Sequence, residues 1–144
     1  MKIDDTWYPP SWRGRPASMP WSDWQIWQRW IVSELALYER YAYDVLLDVA
    51  PVPSTVIDPA MRRMWRENTA KRIDAVGRRG DASTIIEVRE LATWQTIGQV
   101  LGYQTLAELQ YSEELWTRPL IVTGGVALGV EPAIRAQHIT LALV

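Results

Sequence analysis

A chain of 144 residues, 48% hydrophobic and 22% charged, is long enough to bury the core of one folded domain, and its ordinary charge content argues against global disorder. It has no cysteine and a single histidine, His138, which excludes a disulfide scaffold, a thiolate metal site and an imidazole cluster; any metal would sit among oxygen ligands, favouring magnesium, calcium or manganese. A net charge of -2 excludes a wholly basic nucleic-acid binder, no apolar run approaches the roughly 20 residues that span a bilayer, and no basic stretch followed by an apolar one marks secretion, so no membrane partner is expected.

Residues 1–20 hold Pro9, Pro10, Gly14, Pro16 and Pro20 together with Trp7, Tyr8 and Trp12. Proline removes backbone donors and blocks helix continuation, so this segment reads as an extended N-terminal arm in front of a single domain at 21–144. Its three aromatics need burial, either on their own domain or by docking on a neighbouring subunit or partner. Ser22 can cap a helix from about Asp23 to Tyr41, with Trp24, Trp27, Ile31, Leu35 and Tyr38 as its buried stripe. Trp21, Trp24, Trp27 and Trp30 recur every three residues and drift across that face.

Residues 43–49 suit a strand, and Pro51, Pro53 and Pro59 then interrupt regular structure. A short helical or irregular link at 60–68 precedes strands at 70–77 and 84–90, which Arg79, Gly80 and Asp81 join as a hairpin turn. A helix follows at 93–111, then a strand at 119–123, a break at Gly124 and Gly125, a short helix at 131–137 and an apolar strand at 139–144. The expected order is helix, three strands, helix, strand, short helix, strand: an α/β fold with a mixed sheet flanked by helices.

Charge is uneven along this order. Between Met61 and Arg79 stand Arg62, Arg63, Arg66, Lys71, Arg72, Arg78 and Arg79 against only Glu67 and Asp74. Such a stretch can engage phosphates, or it can be a solvated Arg-rich surface. Within it, strand parity places Arg72 and Asp74 on one face and Ile73 and Ala75 on the other. Glu87 and Arg89 likewise share a face, with Ile86 and Val88 turned to the core. A hairpin brings Asp74 and Glu87 together, and two carboxylates in an apolar sheet need a positive partner. Spacing leaves two candidates: a divalent cation, or ion pairs with Arg72 and Arg89.

These residues resemble the PD-(D/E)XK nuclease superfamily. Asp74, in Lys-Arg-Ile-Asp-Ala-Val, matches the family's first metal acid, and Glu87-Val88-Arg89 stands where its acid-x-lysine tripeptide lies, after twelve intervening residues. Gln99 and Tyr103 match the Q-x-x-x-Y motif of the RecB-like branch. The likeness spans about residues 22–144, is densest over 71–103, and is also to small bacteriophage genes of the superfamily.

The resemblance implies a restriction-endonuclease-like core and metal-dependent hydrolysis of DNA phosphodiesters, with Mg or Mn held by Asp74, Glu87 and the Val88 carbonyl. Gln99 and Tyr103 would orient the nucleic-acid backbone or simply pack their helix. Arg62, Arg63, Arg66, Lys71 and Arg72 would contact phosphates, and an acid of the first helix, Glu34 or Glu39, would join the site. Arg89 departs from the family lysine: it keeps the charge but cannot accept a proton. Lys71 is close in sequence and could substitute, but its parity is opposite to that of Asp74, which argues against it unless a bulge intervenes. The alternative is a non-catalytic virion assembly protein (head-tail connector, adaptor or tail component) docking through residues 1–20, as a homo-oligomer or on other virion proteins. Host cytoplasm or the assembled virion is the expected location.

Overall fold

The computed structural model describes residues 1–33 and 37–144. Among them it has an α/β fold: a mixed sheet of seven strands with four helices. The elements are β1 (Trp7–Tyr8), α1 (Trp21–Ser33), β2 (Arg40–Leu47), α2 (Pro59–Thr69), β3 (Lys71–Arg79), β4 (Ala82–Arg89), α3 (Trp94–Gln110), β5 (Leu115–Trp116), β6 (Leu120–Thr123), α4 (Val130–Ala136) and β7 (Thr140–Leu143). The main sheet runs β1-β2-β3-β4-β6-β7, with β5 paired to β4 off this path. The β1 to β4 pairings are antiparallel; β4 with β6 and β6 with β7 are parallel. No described helix is long and apolar enough to cross a membrane.

The first helix differs from expectation at both ends. It begins at Trp21, where the Pro20 carbonyl accepts the first helical bond from Trp24 N–H, and Ser22 lies inside it rather than capping it. It is helical through Ser33, and Leu35 lies outside the described residues. Tyr38 is not helical, and Tyr41 and Tyr43 belong to β2. Both strand tyrosines pack edge-on against Trp27, at ring separations of 5.4 and 5.9 Å. Period-two burial against α1 therefore overrode the helical spacing in this aromatic run. Ile26, Trp27, Trp30 and Ile31 form the buried stripe, while Trp21 stays exposed at its edge. At about 1.5–3 kcal/mol per buried aliphatic or aromatic side chain, the stripe accounts for the docking of α1 without strong helix propensity.

The N-terminal segment is not a free arm. Ile3 and Met19 are core residues. β1 pairs with β2 through Trp7↔Ala42 and Tyr8↔Tyr41. The Tyr8, Trp12 and Tyr43 rings lie 4.4–5.7 Å apart. Ala17 and Ser18 donate their N–H groups to the Asp44 carboxylate, each at 2.9 Å. Of the two destinations open to these aromatics, their own domain takes them.

α2 stands between β2 and β3 as a full helix, capped by Asp58 and started by Pro59, yet none of its residues is buried. The β3–β4 turn is the expected one: Gly80 takes a left-handed φ of 58° between Arg79 and Ala82, which pair across it.

Candidate functional site

The site lies where the β3–β4 ladder stops. The antiparallel pairing reaches Ala75↔Ile86 and goes no further. Beyond it, side chains take over from the backbone. Asp74 N–H donates to Glu87 Oε1 at 3.2 Å, and Val88 N–H donates to Asp74 Oδ2 at 2.9 Å. Across β3, Asp44 of β2 has a positive φ of 52°, and the β2–β3 pairs skip it between Tyr43↔Ala75 and Val45↔Ile73. Side-chain alternation breaks here: Ala75 packs on the α1 side of the sheet, but Ile73 packs with Val76 on the α3 side. The expectation that Ile73 and Ala75 share a face is thus corrected, because the left-handed residue on the neighbouring strand shifts the pleat. The parity argument against Lys71 falls with it: Lys71 lines the same open cleft as Asp74 and Arg89.

Asp74 and Glu87 are both buried, at 4% and 1% exposure. Between them sits the guanidinium of Arg89. Its Nη1 donates to Asp74 Oδ2 at 2.9 Å and to the Val88 carbonyl at 2.7 Å. Its Nη2 donates to Gln99 Oε1 at 2.8 Å and lies 3.0 Å from Glu87 Oε2. That last approach is close in distance but not aligned as a hydrogen bond, and among the described residues Glu87 Oε2 is buried without an aligned donor. Arg72, the other cation considered for these acids, lines the cleft and donates to the Glu67 carbonyl at 3.3 Å.

Electrostatics follow from two acids sharing one base. Burial raises the Glu87 carboxyl well above 4.5, and the neighbouring Asp74 charge adds to the shift while Arg89 opposes it. Burial also raises Asp74 above 3.8, against the pull of Arg89 and the Val88 N–H. Burial works to lower Arg89, but Glu87, Asp74 and Asp23 together hold its guanidinium above its ordinary value. Tyr103, half-buried on α3 beside the cleft, has its hydroxyl raised above 10 by burial and then by the Glu87 charge.

The acid that α1 brings to the cleft is Asp23, which lines it and accepts the Glu90 N–H at 2.8 Å. Glu39 instead caps the hairpin turn at the far end, accepting from Gly80 N–H at 3.0 Å, and Glu34 lies outside the described residues. A signal for Asp23 existed in the sequence: an acid in the first turn of the helix that starts the domain. The basic residues divide. Lys71 and Arg72 line the cleft; Arg62, Arg63 and Arg66 lie on α2, where Arg62 donates to the Val56 carbonyl at 2.6 Å and Arg66 pairs with Asp48 at 2.7 Å.

Two carboxylates and a carbonyl have the chemistry of a hard divalent-cation site. As arranged, the terminal nitrogens of Arg89 lie within 3.0 Å of all three oxygens. Among the described residues, no group of three or more His, Cys, Asp or Glu is placed to hold a metal ion. Family models, curated proteins and solved structures were compared with the chain, and none matches.

Proposed function

We propose that this chain is a PD-(D/E)XK nuclease-fold protein, of bacteriophage type, directed at DNA, with its hydrolytic power suppressed or lost through Arg89. One observation carries the reading: Asp74, Glu87, the Val88 carbonyl and Gln99 converge on the Arg89 guanidinium at the floor of a cleft that Lys71 and Arg72 also line. The sheet flanked by helices and the Q-x-x-x-Y helix beside the acids support the family reading. In the cleft, Lys71 and Arg72 would hold the phosphate backbone, and Tyr103 would buttress it. Arginine supplies fixed positive charge there but no proton acceptor, so water activation by this residue is closed.

A non-catalytic virion assembly role is the second reading, favoured by the exposed apolar side chains Trp21, Leu91, Trp94 and Leu128. It transfers partner docking from Trp7, Tyr8 and Trp12, which pack at home, to these exposed side chains.

Plasmid and linear DNA incubated with the protein and Mg²⁺ or Mn²⁺ test the first reading, alongside Asp74→Ala and Glu87→Ala. Little or no cleavage is expected. Rapid cleavage abolished in both variants would mean that Arg89 does not suppress hydrolysis; cleavage surviving in both would remove the site from the chemistry. A mobility-shift titration is expected to show DNA binding that Lys71→Ala with Arg72→Ala weakens. The salt slope should become shallower by about 0.9 for each phosphate that the double variant no longer neutralises. No binding at low salt would leave the assembly role standing alone.

A further inference from the structure

We infer, resting on the family reading of this site, that Arg89 is the resident counter-ion of the two buried carboxylates, so that Asp74, Glu87 and the Val88 carbonyl, the ligand set the resemblance implies, do not fit a divalent cation until its guanidinium is removed. Interatomic distances support this whether or not DNA is the partner.

Three oxygens point at one group. Asp74 Oδ2, the Val88 carbonyl and Glu87 Oε2 lie 2.9, 2.7 and 3.0 Å from the two terminal nitrogens of Arg89. A flat guanidinium satisfies two of them with aligned hydrogen bonds and leaves the third without one: Glu87 Oε2 is enclosed with no aligned donor among the described residues. A spherical cation has no such directional limit. The charge balance agrees, since one arginine faces two buried acids with Asp23 close enough to add to the field. Carboxylate and carbonyl oxygens are the ligands that hard divalent cations prefer, at about 2.0–2.6 Å. In the parent chain the same cation would have to displace a guanidinium held by four neighbouring groups.

Manganese is the probe, because paramagnetic resonance counts the free ion directly. The full-length parent is expected to leave Mn²⁺ free and to melt at the same temperature with or without it. Arg89→Ala is expected to melt lower, to bind one Mn²⁺ about tenfold or more tighter than the parent, and to regain part of its melting temperature on doing so. Adding Glu87→Gln to Arg89→Ala should abolish both effects. Arg89→Met keeps the aliphatic stem and serves if the alanine variant does not fold. Binding of Mn²⁺ by the parent as tightly as by the variants overturns the inference. So does a folded Arg89→Ala or Arg89→Met that takes up no Mn²⁺, or binding that survives Glu87→Gln. The DNA reading fails on a separate measurement, the mobility shift of the parent.

Discussion

The β3–β4 hairpin carries an arginine–acid cluster at each end, and the two are built to opposite effect. Near the turn, Arg78 pairs with Glu114, whose side chain is 2% exposed. Ser83 Oγ donates to the same carboxylate at 2.8 Å, and Ile3 N–H donates to its other oxygen at 3.0 Å. One acid thus meets one base and two further donors. Burial works to raise Glu114, but the bonds from Ile3, Ser83 and Arg78 outweigh it and hold the carboxyl below 4.5. This end is a clasp fastening the N-terminal segment, and the Trp7 ring, 4.2 Å from the Arg78 guanidinium carbon, completes it. At the open end, Arg89 serves two acids, one of which keeps an unmatched oxygen, and both carboxyls are pushed up. A full complement of donors makes structure; a deficit of positive charge leaves a site that can still take a ligand.

Truncating each arginine separates the two ends most sharply. Arg89→Ala leaves two buried acids facing each other and is expected to lower stability at pH 7 by about 3–5 kcal/mol. Arg78→Ala leaves Glu114 with the Ser83 and Ile3 donors and should cost about 1–3 kcal/mol. Urea unfolding of both variants measures the difference. Equal destabilisation would mean that the unmatched charge at Arg89 carries no energetic consequence.

The pH dependence should differ in sign. Glu87 has a folded pKa raised above 4.5, so its contribution is fully present below that value and is lost as pH rises through the folded pKa. Glu114 has a folded pKa lowered below 4.5, so its contribution is present above 4.5 and is lost as pH falls through the folded pKa. Glu87→Gln should therefore flatten the decline of stability on the alkaline side of 4.5, and Glu114→Gln should flatten the decline on the acid side. Unfolding free energies measured across pH for the parent and both variants test this. Flattening on the same side in both would dissolve the contrast.

The two ends were unequally legible in the sequence. The convergence of Asp74 and Glu87 follows from hairpin spacing alone, and Gly80 with Asp81 marks the turn that sets it. The choice between a bound cation and an ion pair did not follow, because strand parity says which face Arg89 occupies but not how far its side chain folds back. Asp44 is the deeper reason for what was missed. It is a left-handed residue in mid-strand that is neither glycine nor asparagine, so nothing in the sequence announces the break that brings Lys71 into the cleft and puts Ile73 beside Val76. The clasp was invisible for another reason. Glu114 and Ile3 are 111 positions apart, and β1 and β5 are two residues each, too short for any periodicity to register.

The smallest expected effect compares the polar supports of the two arginines. Ser83 is fully buried and holds both Arg78 and Glu114, so Ser83→Ala should cost about 1–3 kcal/mol, the range for stranding buried partners. Gln99 is half-buried and touches Arg89 through one bond, while Arg89 keeps Asp74, Glu87 and the Val88 carbonyl. Gln99→Ala should therefore cost only about 0.5–1.5 kcal/mol in stability. Its stronger consequence belongs to position rather than strength: the Gln99 oxygen draws Nη2 of Arg89 toward α3, and the variant loses that bond. If Gln99 steers the guanidinium, Mn²⁺ should compete better for the acids in Gln99→Ala than in the parent, at nearly unchanged melting temperature. If Gln99 only packs its helix, stability falls and Mn²⁺ uptake stays at the parent level.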